Sequence, residues 1–268
     1  MPAVRPAAVA GIFYPDDALQ LRREVGDCLD AVATTALGAA SPPKLLIVPH
    51  AGHVYSGAVA AHAYALLAPW RARTSRVVLL GPAHRFAVRA LAAPSVQAFD
   101  TPLGRIALDE AALVALDTLP QVVRDDRPHA FEHSLEVQLP FLQSVLGSFA
   151  LVPLLVGDAS PSEVAQVLEL LWGGDETLVV VSSDLSHYLP YAQAQARDRA
   201  TVQRILAFDG ALVPEEACGA LVINGALHAA RRHRLQPRLL DLRNSGDTAG
   251  DHRRVVGYAA IAFEAGAS

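Results

Sequence analysis

Short apolar runs that stop abruptly at turn-forming or polar residues constrain this chain more than any other feature. Leu45-Leu46-Ile47-Val48 halts at Pro49 and is followed at once by His50. Arg76-Val77-Val78-Leu79-Leu80 halts at Gly81-Pro82 and delivers Ala83-His84. Leu178-Val179-Val180-Val181 runs into Ser182-Ser183-Asp184-Leu185-Ser186-His187-Tyr188, and a further run spans Phe149 to Val156. Such runs have the length and unbroken apolar character of strands buried on both faces. Between them lie stretches of helical spacing. Leu19, Leu21, Val25, Leu29 and Val32 recur behind Asp16-Asp17, a small-residue helix is expected from Gly57 to Leu67, and further helices over 109–119, 161–172, 191–208 and from Glu215 to about His233. Pro237–Leu242 and Val255–Glu264 read as closing strands. Strands alternating with helices imply an α/β fold with a mostly parallel central sheet flanked by helices. No fixed-period repeat and no linker divides the chain, so one domain over residues 1–268 is expected.

Composition narrows the function classes. With 268 residues, of which 52% are hydrophobic, the chain can bury a sizeable core. A net charge of −5 argues against a nucleic-acid binder, which needs a basic face. Arginine carries nearly all the positive charge, Lys44 being the single lysine. Two cysteines, Cys28 and Cys218, cannot make a disulfide framework, which favours a reducing compartment. No charged leader precedes a long apolar stretch, and no apolar run reaches the roughly 18 residues of a membrane span. The sequence therefore reads as a soluble cytoplasmic protein acting on a small molecule, with neither nucleic acid nor membrane as partner.

In open α/β sheets, ligands bind in the crevice beyond the strand carboxyl ends. His50, His84, and Asp184 with His187 all fall there if the strands run parallel. One strand-end histidine is most often an ordinary loop residue; three such ends meeting at one edge point to a site. Two neutral imidazoles suit iron, copper or zinc, and a third ligand can come from Cys218, Asp184, His187 or Glu132. Cys218 lies near an expected helix start, where the helix N-terminus would favour thiolate. Alternatively it is a small buried hydrophobe.

Other motifs admit plainer readings. His129-x-x-Glu132-His133 matches the inverted zinc-protease pattern and would place two histidines on one helical face. Five residues with three fixed recur often by chance, so a supporting role around the site is preferred to hydrolysis. Ser134, Glu136 and Gln138 suggest a polar network at a site wall. Asn244-Ser245-Gly246-Asp247 is a tight loop near the site edge. Tyr55-Ser56-Gly57 lacks the glycines and lysine of a phosphate-binding loop. Tyr14 and Tyr188 could wall a pocket.

Taken in order, Gly11-Ile12-Phe13-Tyr14-Pro15, Pro49-His50-Ala51-Gly52, Tyr55-Ser56-Gly57, Gly81-Pro82-Ala83-His84, Thr101-Pro102-Leu103-Gly104, Glu132-His133-Ser134-Leu135-Glu136, Ser182 to His187, Cys218-Gly219, Asn244-Ser245-Gly246-Asp247 and Val256-Gly257-Tyr258-Ala259 resemble the MEMO family, also known as AmmeMemoRadiSam system protein B. The resemblance covers almost the whole chain. It implies a fold like that of class III extradiol dioxygenases and a metal on His50, His84 and Cys218. Ferrous iron, Fe(II), ranks first, copper second and zinc third. It places Asp184 and His187 in the same pocket, His187 as acid/base, with His53, Tyr55, Glu132, His133 and Tyr14 around them. A cysteine where the dioxygenases have a carboxylate makes the site softer and more compatible with copper. The resemblance also implies a link to radical-SAM and AMMECR-type proteins. Two readings follow: a metal-dependent oxidoreductase with dioxygenase-like chemistry, or a non-catalytic ligand- or protein-binding module such as a signalling adaptor. This chain departs from the family at His53, where tyrosine is usual, so a further histidine is expected beside the metal or substrate. It departs again at Ala220-Leu221-Val222-Ile223-Asn224, which is more apolar than usual.

Overall fold

The computed structural model describes residues 3–32 and 41–266; Met1 and Pro2, which begin the Pro- and Ala-rich lead, lie outside them. The first half contains β1 (Val4–Arg5), α1 (Ala18–Asp30), β2 (Pro43–Val48), α2 (His53–Tyr64), β3 (Arg76–Pro82), β4 (Leu91–Ala93), β5 (Ala98–Thr101), β6 (Gly104–Ala107), α3 (Glu110–Leu116) and β7 (Val122–Arg124). The second contains α4 (Leu139–Leu146), β8 (Ala150–Val156), α5 (Pro161–Leu171), β9 (Thr177–Ser182), β10 (His187–Leu189), α6 (Tyr191–Leu206), α7 (Ala220–Arg232), β11 (Leu235–Asn244) and β12 (Val255–Ala265).

Among the described residues the main sheet runs β10-β12-β2-β9-β3-β8-β4-β7, with β11 paired to β12. Its centre, β2-β9-β3-β8, is wholly parallel. These are the four apolar runs of the sequence, and they are buried along nearly their whole length. Antiparallel strands close both sides: β12 on β2, and β4 on β8. The sheet is therefore mixed, with a parallel core. A small second sheet, β1-β5-β6, carries the N-terminal lead.

Register fixes the site. β9 lies between β2 and β3, with Val48 opposite Ser182 and Leu80 opposite Val181. The chain ends that leave these three strands therefore share one edge, and the residues after β9 enter between those after β2 and β3.

Helices form where the sequence caps them. Asp17 accepts from the backbone of Leu19 and Gln20 at the start of α1. Ser160 and Glu163 make a capping box for α5, with Pro161 in its first turn. Gly225 lets α7 lie directly on α5, since a Cβ there would overlap Val164. The helix expected from Gly57 begins four residues sooner, at His53, which is thus a helical residue. The helix expected from Glu215 begins only at Ala220, leaving Cys218 in the turn before it. His129 to His133 form turns and no helix. The short strands β1, β7 and β10 carry too few residues for a pattern to show. Among the described residues, no helix is long and apolar enough to cross a membrane.

Candidate metal centre

His50 leaves β2 into a fully buried position. Its Nδ1 lies 2.9 Å from Ser182 Oγ. That hydroxyl is 2.5 Å from the Ser134 carbonyl, to which it must donate its one proton. It also accepts from Gln138 Nε2 at 2.8 Å. Gln138 is itself fixed, since its Nε2 donates to the Pro49 carbonyl and its Oε1 accepts from Tyr64 Oη. Ser182 can therefore only accept from His50. Nδ1 of His50 carries the hydrogen, and Nε2 keeps its lone pair. Burial, reinforced by the neighbouring His84 and His133, pushes the His50 pKa well below the usual imidazole value, so the ring is neutral.

His84 follows β3 and is oriented by Glu132. Its Nδ1 lies 2.9 Å from Oε1 of that carboxylate, and its backbone N–H donates to Oε2 at 2.6 Å. Glu132 also accepts from the backbone N–H groups of His133 and Ser134. Burial opposes its charge, but the close His133 and His84 rings and the backbone N–H groups outweigh that and hold the carboxyl far below its usual range. A carboxylate behind a histidine fixes the ring and strengthens the opposite nitrogen as a ligand.

His133 completes a group the sequence reading placed only in support. One ring nitrogen from each of His50, His84 and His133 lies within 4.8 Å of the others. The rings of His84 and His133 stack at 4.7 Å, and both meet His50 edge-on. His133 Nδ1 sits 3.1 Å from Glu132 Oε1, within ion-pair range but without hydrogen-bond geometry. Three imidazoles facing one point, two of them held at Nδ1 by Ser182 and Glu132, make a fit to a metal cation.

Cys218 reaches the same place from the turn before α7. Its Sγ is 3.2 Å from His50 Nε2, and its backbone N–H donates to the Asp184 carbonyl. Because His50 already donates from Nδ1, the thiol can donate to Nε2, the lone pair a metal would take, or to the Asp184 carbonyl at 3.7 Å. The expected lowering of the thiol pKa is not found. Burial, with the nearby Asp184 adding, pushes it up to about 12. The physical reason is the missing helix turn: Cys218 precedes α7 and is desolvated. A metal there must displace the thiol proton.

Asp184 accepts from the His50 N–H at 2.7 Å, and burial raises its carboxyl pKa. The acid/base candidate His187 is oriented by neither Asp184 nor Glu132: its Nδ1 lies 2.8 Å from the Leu185 carbonyl. That contact requires a hydrogen on Nδ1, and the ring lines the cavity. The loop carrying both residues is braced by Asp198 of α6, which accepts from the Ser186 N–H at 3.0 Å. Gly257 makes room for it, since a Cβ there would overlap the Asp198 carboxylate. Nothing in the local sequence of α6 marked Asp198.

Three residues expected around the pocket lie elsewhere. His53 is buried, with Nε2 3.1 Å from the Val137 carbonyl and Nδ1 3.3 Å from Glu24 Oε1. As the first residue of α2 it turns toward α1 and Phe141, away from the imidazole group. Tyr14 donates to Glu136 at 2.6 Å and belongs to the anchor of the N-terminal lead. His129 lies 3.1 Å from the Ala92 carbonyl and packs on Phe99, so the inverted protease pattern never assembles.

A cavity of about 810 Å³ opens before the centre, walled by Tyr55, His133, Asp184, His187, Tyr188 and Tyr258 among others. Tyr55 and Tyr188 thus stand where the sequence suggested. Tyr188 has a left-handed backbone, φ 60°, at the irregularity of β10 beside His187.

Comparison with known proteins agrees with this architecture. A family model described as Memo-like protein matches residues 5–262. A MEMO1 family protein of Methanopyrus kandleri is 38% identical over 283 residues, covering 98% of this chain and 99% of the relative. MEMO1 family proteins of Metallosphaera sedula and Aquifex aeolicus are 34% and 32% identical, each covering 97% of this chain and 99% of the relative. The crystal structure of an uncharacterized protein from Escherichia coli K12 superposes with a TM-score of 0.51 at 15% identity, covering 80% of this chain and 98% of that one, a likeness of fold. With its family model matched nearly end to end and full-length relatives above 30% identity, the chain belongs to the Memo family.

Proposed function

We propose that this protein binds a redox-active metal, ferrous iron first and copper second, at the imidazole group, and acts on a small substrate in the cavity with oxidoreductase, dioxygenase-like chemistry. The observation that carries this reading is the trio His50, His84 and His133, whose ring nitrogens lie within 4.8 Å of one another while Ser182 and Glu132 hold the Nδ1 atoms of His50 and His84. Nε2 of His50 and His84 would hold the metal, with Cys218 or His133 as the third ligand. A metal there would supply Lewis acidity and access to a second oxidation state. The chain's own residues do the rest. His187, held at Nδ1 by Leu185, accepts or returns a proton at Nε2. Asp184, kept toward its neutral form by burial, fixes the His50 backbone. Tyr55 and Tyr188 limit water around a bound substrate.

Metal analysis of protein purified without chelator tests this. Near-stoichiometric iron or copper in the wild type, absent from His50→Ala, supports the reading; no transition metal in the wild type refutes it. A second reading, a non-catalytic ligand- or protein-binding module on the same fold, is favoured by exposed apolar residues: Ile12 and Tyr188 at the cavity and Val54 on α2 are 78%, 61% and 66% exposed. That reading prevails if His187→Ala leaves every cellular function intact while Ile12→Asp with Val54→Asp abolishes it.

A further inference from the structure

The cavity wall is not electrically even. Its inner side carries His133, Asp184 and His187; its outer side carries Arg253 and Arg254 at the start of β12. Arg253 is spoken for, because its guanidinium pairs with Asp251 at 2.9 Å and its backbone N–H bonds the same carboxylate. Arg254 differs. Among the described residues it has no ion-pair partner, and its guanidinium lies over the Tyr188 ring, 5.0 Å from the centroid. The ring holds the side chain at the cavity mouth while the fork of N–H donors stays open. Across the mouth stand Ile12, Phe13 and Tyr55, apolar and partly exposed.

A guanidinium without a carboxylate at the mouth of a protein of net charge −5 is a selective feature. It attracts anions against the sign of the whole molecule. One free guanidinium matches one carboxylate in bidentate fashion. A phosphate dianion would call for a second cation, and Asp251 already neutralises Arg253.

We propose that the ligand of this cavity is a small organic carboxylate, its anionic group taken by Arg254 and its apolar body lying against Tyr55, Phe13 and Tyr188 so that the far end points toward the metal centre. The inference deepens the function proposed above and rests on the same cavity, while the contact itself is made by a residue that is not one of the proposed metal ligands.

The test is calorimetric titration of purified protein, its metal content measured on the same sample, with 3-phenylpropionate, 3-phenylpropanamide and phenyl phosphate. Each is run on wild type, Arg254→Gln and Arg253→Gln, before and after chelator treatment. The proposal expects the carboxylate to bind more tightly than the amide and the phosphate. It expects Arg254→Gln to weaken the carboxylate roughly tenfold or more, the worth of a charge-assisted hydrogen bond, while leaving the amide unchanged. Arg253→Gln should have a smaller effect, and the Arg254→Gln loss should persist after the metal is stripped. Unaltered thermal unfolding of Arg254→Gln, whose side chain is exposed, confirms that folding is not the cause. Equal binding of acid and amide, tighter phosphate binding, no effect of Arg254→Gln, or no binding at all overturns the proposal. Absence of metal in every sample would overturn the metal reading alone, because the Arg254 comparison is still read in the stripped protein.

Discussion

Two buried polar networks grow from one segment, His129 to Gln138, and they end differently. On one side Glu136 is saturated. Its carboxylate accepts from the backbone of Ala8 and Val9, from Tyr14 Oη, and from Arg5 at 2.6 Å. Arg5 also donates to the carbonyls of Pro6, His129 and Glu132. The carboxylate is fully used, and the network pins the N-terminal lead to the body of the protein. On the other side Glu132, Ser182 and Gln138 are equally well bonded, but they pass their bonds to the Nδ1 side of His50 and His84 and turn the opposite nitrogens toward one point, where the Cys218 thiol meets His50 Nε2. A closed network is a structural clamp; an open one, in which every bond is used to aim an unfilled lone pair, is a site. His53 differs from His50, three residues earlier, in that its Nε2 is taken by the Val137 carbonyl and its Nδ1 lies 3.3 Å from Glu24.

Substitutions can break this contrast. The largest effect is expected for the paired change His50→Ala and His84→Ala, which should remove bound transition metal altogether while the protein stays folded; elemental analysis and circular dichroism check both halves. Glu136→Gln should do the reverse. It leaves Arg5 as an uncompensated buried charge, at a cost of about 3–5 kcal/mol, read from the urea midpoint, with metal content per folded molecule unchanged. Glu132→Gln should lower metal affinity roughly 10–100-fold, measured by chelator competition, because the carboxylate that orients His84 and lies beside His133 is gone.

A pH effect follows from His129. Burial lowers its pKa from the usual 6.5 to about 4. The folded protein therefore binds fewer protons than the unfolded chain between those values. Stability from this residue is complete above pH 6.5 and is lost as pH falls toward 4. His50, shifted the same way by burial, adds to the slope. Urea unfolding at pH 7, 5.5 and 4.5 should show this decline, and His129→Gln should flatten it. The smallest effect on metal is expected for His53→Leu, which should leave metal content untouched and lower stability by about 1–3 kcal/mol through the unpaired Val137 carbonyl. Loss of metal in that variant would erase the distinction between the two networks.

Much of this was legible in the chain. Each of the four apolar runs became a central strand because a doubly buried parallel strand needs unbroken apolar sequence, and that pattern is local. His50, His84 and Asp184 meet at the edge their strand ends implied, and Cys218, expected at a helix start, reaches them from the turn before α7. His133 was harder to read. Its pairing with Glu132 invited a helical motif, yet the segment folds as turns, and only the tertiary path from Arg5 to Glu136 sets the direction of each side chain. His53 misled for a related reason: being close in sequence to His50 places it on the next element, not in the same site. The thiol of Cys218 could not be judged from the chain, since two residues of turn before α7 and full desolvation reverse the effect a helix N-terminus would have. Asp198 and Arg254 carry no motif, and their roles come from what lies opposite them in space.

The most direct test is crystallographic. Crystals of anaerobically metal-loaded protein, measured across the iron and copper absorption edges, should show one anomalous peak bonded to Nε2 of both His50 and His84, with Ser182 and Glu132 still on their Nδ1 atoms. A peak elsewhere, or none with the imidazoles in this same arrangement, would contradict the account.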